Sequence, residues 1–131
     1  MKRTEFLRWY LPLLLWATTI LILTSIPTLK PQSLGFNAED KLAHFGVYYS
    51  LGLLRVRALG SGYRAENRVL LKSLLLGVSF AALDEAHQIL IPGRSGDIFD
   101  FLADSLGILC ALITFWLVKN CVHNHKCGMI K

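Results

Sequence analysis

Charge is what this chain has little of. Asp, Glu, Lys and Arg make up 18% of its 131 residues, against a hydrophobic share of 53%. Soluble domains run at about 25% charged and about 45–50% apolar. Too few charges remain to coat a water-facing surface, and the positive mean hydropathy points the same way, to lipid as solvent. The net charge of +5 does not signal nucleic acid, because the basic residues fall between apolar runs and form no patch interleaved with aromatics. Cysteine is sparse as well. Cys110 lies inside an apolar run, while Cys121 and Cys127 sit in a basic tail whose expected cytoplasmic location excludes a disulfide framework. His123, His125 and Cys127 alternate in that tail and are metal-ligand types, but tail residues of this kind are more often solvated. No internal repeat, no low-complexity linker and no hydrolase motif of the G-x-S-x-G type is present. The length fits one domain, 1–131.

What is present is a set of four apolar runs: about Trp9 to Ile26, Lys41 to Leu59, Val69 to Ile91 and Ile98 to Lys119. A membrane span needs about 20 such residues. The first run follows Lys2, Arg3 and Arg8, the front of a signal peptide, but no small-x-small cleavage site follows it, so an uncleaved anchor is expected. Pro12 falls in the first turn of that run, where a missing N–H does no harm. The second run is the weakest. It is interrupted by Arg55 and Arg57, which snorkel from the end of a span; a re-entrant segment is the alternative. Pro92-Gly93 stops the third run. The expected fold is therefore an all-α membrane protein, a four-transmembrane-helix bundle.

Lys and Arg orient it. With both termini cytoplasmic, the inner segments hold Lys2, Arg3, Arg8, Arg55, Arg57, Arg64, Arg68, Lys72, Lys119, Lys126 and Lys131, and the outer ones only Lys30, Lys41 and Arg94. Eleven against three is the bias the positive-inside rule requires. It also favours the second run as a true crossing. The acids gather on the other side: Glu39, Asp40, Asp84, Glu85, Asp97, Asp100 and Asp104.

Helical spacing groups these residues by face. Asp40 and His44 are four apart, Lys41 and His44 three, and Tyr48 continues the stripe. Asp84 and Gln88 are four apart, flanked by Glu85 and His87. Asp97, Asp100 and Asp104 share a stripe that runs on as Gly107 and Ala111, small residues suited to close helix contact, so the acids are expected to point into the bundle. At about 1.5 Å per residue, Asp84 and Asp104 lie roughly 10 Å below their helix ends. Such carboxylates need partners, and Arg94, His44 and Lys41 are the candidates.

Two readings of the cluster stand. In one it is a structural network that fixes packing. In the other it is an outward-facing site for a phosphate-bearing lipid headgroup. There Arg94 holds an oxyanion, His44 acts as base or nucleophile, and Asp84 or Glu85 orients His44 or holds a metal. Oxygen ligands favour Mg²⁺ or Ca²⁺.

The string Asp40-Lys41-Leu42-Ala43-His44-Phe45, with Tyr48 and Gly52 after it, resembles the first signature of the VanZ-like family. Asp84-Glu85-x-x-Gln88 followed by Pro92-Gly93-Arg94 resembles the second, and Asp100, Asp104 and Gly107 the third. Ser25-Ile26-Pro27 fits the pattern after the first helix. The resemblance spans nearly the whole chain. It implies a small multi-pass membrane protein, related to one associated with resistance to teicoplanin, a glycopeptide antibiotic. It further implies a possible kinship with enzymes that act on lipid headgroups, such as phosphatidylserine synthases. The implied site is Asp40, Lys41, His44, Asp84, Glu85, Gln88, Arg94, Asp100 and Asp104. One position departs from the pattern: Asp104 stands where many relatives have Asn, which adds a negative charge.

Three functions follow as expectations for a protein of the bacterial plasma membrane. The first is an enzyme that hydrolyses or transfers a lipid or lipid-linked headgroup, with His44, Asp84, Glu85 and Arg94 in the chemistry and Asp40, Lys41, Tyr48, Gln88, Asp100 and Asp104 on the substrate. The second is a non-catalytic protein that binds or masks an envelope lipid precursor. The third, a carrier, fits less well, because the acids cluster on one side instead of along a path.

Overall fold

The computed structural model describes residues 3–27, 38–60 and 67–128, and side chains over 4, 6–27, 38–60 and 67–121. Lys2, Lys30, Arg64 and Lys131 lie outside the described residues, as do the side chains of Arg3, His123, His125, Lys126 and Cys127. The described residues form four helices: α1 (Arg3–Ser25), α2 (Ala38–Leu59), α3 (Asn67–Gln88) and α4 (Ile98–Gly128). Segments of α1 (Phe6–Ser25) and α4 (Ile98–Cys121) are long and apolar enough to cross a membrane.

The boundaries differ from the apolar runs where backbone chemistry, and not hydropathy, decides. α1 begins at Arg3, so Pro12 lies in its interior and not in its first turn. The missing N–H removes one rung of the ladder, a loss that helices packed in lipid tolerate. α3 ends at Gln88 and not at Ile91. Leu90 and Ile91 donate to the carbonyls three residues back (3.0 Å each), the tightening common at helix ends. The Arg94 N–H then closes a turn on Ile91, with Gly93 at φ 81°, where a side chain would be strained. Asp84 consequently sits one turn from the end of α3. α4 runs on past Lys119, because nothing in its sequence breaks a helix where the apolar pattern stops.

α2 packs chiefly on α4, α3 lies against both, and α1 rests on α2 and α3. Ile20, Tyr48, Leu51, Val56, Ala81, Ile108 and Leu112 form the hydrophobic core. The α2–α4 contact depends on small residues. A Cβ on Gly107 would collide with the backbone oxygen of Phe45 and stand 2.9 Å from the Tyr49 nitrogen. A Cβ on Gly52 would come within 2.8 Å of the Ala111 Cβ. The expected contact face is thus present, with Gly107 and Ala111 buried and Ala103 half-buried.

Polarity is inverted relative to a water-soluble domain. Thr24, Lys41, Arg55, Ser73, Asp84, Glu85, Gln88, Asp100 and Asp104 are buried, while Leu42, Leu83 and Leu90 are 70%, 69% and 77% exposed. Arg55 and Arg57 were expected to snorkel together. Two residues apart on a helix, they face opposite ways: Arg57 is exposed and lies over the Trp9 ring, whereas Arg55 is buried against Phe80.

Gly107→Ala should lower stability by about 1–3 kcal/mol, because the obstacle is backbone that cannot rotate away. Leu106→Ala, on the 54% exposed side of the same helix, should change little. Thermal melting in detergent compares the two, and equal melting temperatures would contradict a backbone-tight α2–α4 contact.

Candidate functional site

The polar residues meet at the end of the bundle formed by the start of α2, the end of α3 and the start of α4. Asp97 shapes this end. It caps α4, its Oδ1 accepting the Phe99 N–H at 2.8 Å, in the place where a short acceptor satisfies an otherwise orphaned donor. Its other oxygen takes a hydrogen bond from Lys41 Nζ at 2.5 Å, and its own N–H donates to Glu85 Oε2 at 2.9 Å. The Lys41 ammonium and the Phe99 N–H hold the Asp97 carboxyl below the ordinary aspartate range. One loop residue thereby joins three helices.

Lys41 also donates to Asp100 Oδ1 and lies 3.7 Å from Asp40. It is buried, and it is the cation that compensates this end of α4. One turn deeper, the His44 ring stands between two acids. Nδ1 is 3.0 Å from Asp104 Oδ1, and Nε2 is 3.8 Å from Asp100 Oδ2. Asp104 is fully buried behind the ring, and its Oδ2 has no hydrogen-bond partner among the described residues.

A second branch runs through Asp84, 1% exposed. Its Oδ1 accepts from Thr24 of α1 at 2.8 Å, and its Oδ2 accepts from the Tyr48 hydroxyl of α2 at 2.8 Å. Gln88 Nε2 lies 3.4 Å from Asp84 Oδ2 and 3.2 Å from Glu85 Oε1. The Gln88 carbonyl oxygen accepts from Arg94 Nη1 at 2.9 Å. The two branches join at Glu85, so a polar network runs from Thr24 to Asp104.

The expected residues Lys41, His44, Tyr48, Asp84, Glu85, Gln88, Asp100 and Asp104 are all brought together, with the exposed Asp40 at the rim. Arg94 differs from its expected role as partner of the acids. Besides Gln88, it donates through Nε to Ile26 O (3.1 Å) and through Nη2 to Leu23 O (3.2 Å), carbonyls at the end of α1. Asp97, Asp100 and Asp104 take Lys41 and His44 instead, while Asp84 takes the hydroxyls of Thr24 and Tyr48. His87 is half-buried with its Nδ1 unpartnered among the described residues. Thr24 was missed by sequence reasoning; the only signal was a hydroxyl near the end of an apolar run. The cap at Asp97 was legible in its position just before Ile98.

Chemically, a buried carboxylate on Nδ1 fixes the imidazole tautomer and leaves Nε2 facing the rim, the arrangement of an oriented base. Two groups have the spacing of metal ligands: Asp40, His44 and Asp100 at the rim, and His44, Glu85 and Asp104 below it.

A family model described as VanZ/LLP1 matches residues 15–119, a span that contains every residue of the network. No curated protein and no solved structure matches the chain.

Lys41→Met should destabilise strongly, by about 3–5 kcal/mol, because Asp97 and Asp100 lose their shared cation in a buried setting. Adding Asp100→Asn should recover part of the loss. Thermal melting of the single and double variants measures both; a Lys41→Met protein that melts like the wild type would remove Lys41 as the keystone of this end.

Proposed function

For this chain, which belongs to the VanZ/LLP1 family, we propose a protein of the bacterial plasma membrane that crosses the bilayer four times and binds a lipid or lipid-linked headgroup at the outer surface. The observation that carries this reading is the inverted polarity of the bundle: leucines and isoleucines outside, and charges from three helices converging inside at one end. α2 and α3 have 22 residues each, about 33 Å of helix at 1.5 Å per residue, enough for a hydrocarbon core of about 30 Å. Their charges are what keep them from passing as apolar spans; of these, Lys41, Arg55, Asp84 and Glu85 are buried in the bundle, while Arg57, Arg68 and Lys72 are exposed.

With four crossings and cytoplasmic termini, the polar end lies outside, and Arg8, Arg57, Arg68, Lys72 and Lys119 fall toward the inner side. At the outer end, Asp40 at the rim suits hydroxyl or amine groups of a headgroup. Arg94, with three of its five donors engaged, retains others for a phosphate oxygen. Lys41, Tyr48, Gln88, Asp100 and Asp104 form the floor, and Asp84 and Glu85 set its shape. If the bound headgroup belongs to a lipid-linked precursor, its occupation would be the route to an effect on teicoplanin tolerance.

A second reading, modification of the headgroup, rests on the His44–Asp104 pair. There His44 Nε2 takes the proton of a water or hydroxyl that attacks the headgroup phosphorus, the bond from phosphorus to the leaving alcohol breaks, the imidazolium returns that proton to the alcohol, and the Asp104 carboxylate stabilises the imidazolium meanwhile.

Topology is tested by cysteine labelling in intact cells, with Cys110, Cys121 and Cys127 replaced by serine. Ser95→Cys should react with an impermeant reagent and Arg68→Cys should not; the reverse pattern would put the site on the wrong side of the membrane.

Binding is tested by native mass spectrometry of the detergent-purified protein. The wild type should retain envelope-lipid adducts that Asp40→Asn and His44→Gln lose, and a wild type that carries no lipid would count against the reading. A lipid profile of cells altered by the wild type and restored by His44→Gln would select modification over binding alone.

A further inference from the structure

We propose that His44, Glu85 and Asp104 hold a divalent cation of the oxygen-preferring class, Mg²⁺, Mn²⁺ or Ca²⁺. One ligand atom from each residue lies within 4.8 Å of the others. Ligands on opposite sides of such an ion, each about 2.0–2.6 Å from it, stand about 4–5 Å apart. The residues come from α2, α3 and α4, so the grouping is made by the fold and not by one helix.

An independent observation points to an occupant. Asp104 has no exposed surface, and while its Oδ1 is engaged by His44, its Oδ2 is buried without a partner among the described residues. A half-satisfied buried carboxylate is costly unless a cation completes it. The local charge asks for the same thing. Asp84, Glu85, Asp100 and Asp104 are buried here against one buried ammonium, Lys41. Glu85 is aimed by outer partners, since Gln88 Nε2 holds Oε1 at 3.2 Å and the Asp97 N–H holds Oε2 at 2.9 Å. Each oxygen keeps a lone pair, and outer-shell support of this sort orients metal ligands. Two carboxylates select hard cations, and the imidazole favours Mn²⁺ among them. The rim group of Asp40, His44 and Asp100 is the weaker choice, because Lys41 already holds Asp100 and Asp40 is exposed.

The inference deepens the headgroup reading, since a cation lets a phosphate approach an acid-rich floor. With the ion bound, His44 is a ligand and not a base. The test uses Mn²⁺ in lipid-free detergent, so it is decided whether or not a lipid binds. Chelator-stripped protein, titrated with Mn²⁺ and followed by electron paramagnetic resonance, should bind one ion per chain, displaced by Mg²⁺ or Ca²⁺. Glu85→Gln and Asp104→Asn should each weaken binding by about 100-fold or more, since even outer-shell changes cost about 10–100-fold. Pulsed measurements on the wild-type complex should show a directly bonded nitrogen, absent in His44→Gln; this readout does not depend on the carboxylate variants folding. The proposal is overturned by a folded wild type with no saturable Mn²⁺ binding, by a bound ion lacking nitrogen coupling, or by Glu85→Gln and Asp104→Asn that bind as tightly as wild type. Loss of the ion in Asp40→Asn with retention in Glu85→Gln would assign it to the rim and equally overturn it. Mn²⁺ binding without lipid adducts would defeat the headgroup reading alone, and lipid adducts on protein that binds no Mn²⁺ would defeat the cation alone.

Discussion

A carboxylate buried between helices must find donors, and that requirement governs how this bundle is assembled. Asp84 illustrates it. Placed one turn from the end of α3 with almost no exposed surface, it is stable only where Thr24 of α1 and Tyr48 of α2 present hydroxyls to its two oxygens. Those two bonds, each 2.8 Å, set where α1 and α2 sit relative to α3. In lipid the constraint is stricter than in water, because no solvent stands ready to complete an unsatisfied group.

The same logic orders the other side of the network, where the compensating group is Lys41. It bridges Asp97, which caps α4, and Asp100, in the first turn of that helix. Its reach depends on how closely α2 and α4 approach, which in turn depends on Gly107 and Gly52. Packing and electrostatics are therefore one problem here. The small residues bring the backbones together, and the closeness puts His44 within 3.0 Å of an acid 60 residues away. The charges then add to an interface whose apolar part is made by Tyr48, Leu51 and Val56 of α2 and Ile108 and Leu112 of α4.

The cluster as a whole carries more buried acid than base, and this bears on what it binds. A bare anionic headgroup meets repulsion at such a floor, whereas hydroxyls, amines or a cation do not. On the proposed headgroup reading, Arg94 stands at the margin where a phosphate would arrive; in the structure it closes the bundle by binding the end of α1. Anchoring and recognition are compatible in an arginine, whose donors point in several directions.

The sequence by itself determined that the fold is helical and which stripes of polar residues its helices carry. Four apolar runs mark the four helices, and two of these are long and apolar enough to cross a membrane. Helical periodicity alone places Asp40, Lys41, His44 and Tyr48 on one stripe, and Asp97, Asp100 and Asp104 on another. The small stripe through Gly107 and Ala111 was legible for the same reason. Pairing was not legible, because which acid meets which side-chain donor depends on crossing geometry between segments 36 to 60 residues apart. Thus Arg94 reads as the natural counter-ion of its neighbours, yet the turn at Gly93 sends it to the carbonyls of α1. Thr24 reads as an incidental hydroxyl, yet it holds Asp84. Arg55 and Arg57 read as a pair, yet helical rotation buries one and exposes the other. Helix ends escaped for a related reason: α3 stops and α4 continues according to which backbone groups find partners, a matter that hydropathy does not record. Only the tertiary structure decided that His44, Glu85 and Asp104 face one another, because three helices must be in place before one point in space has three walls.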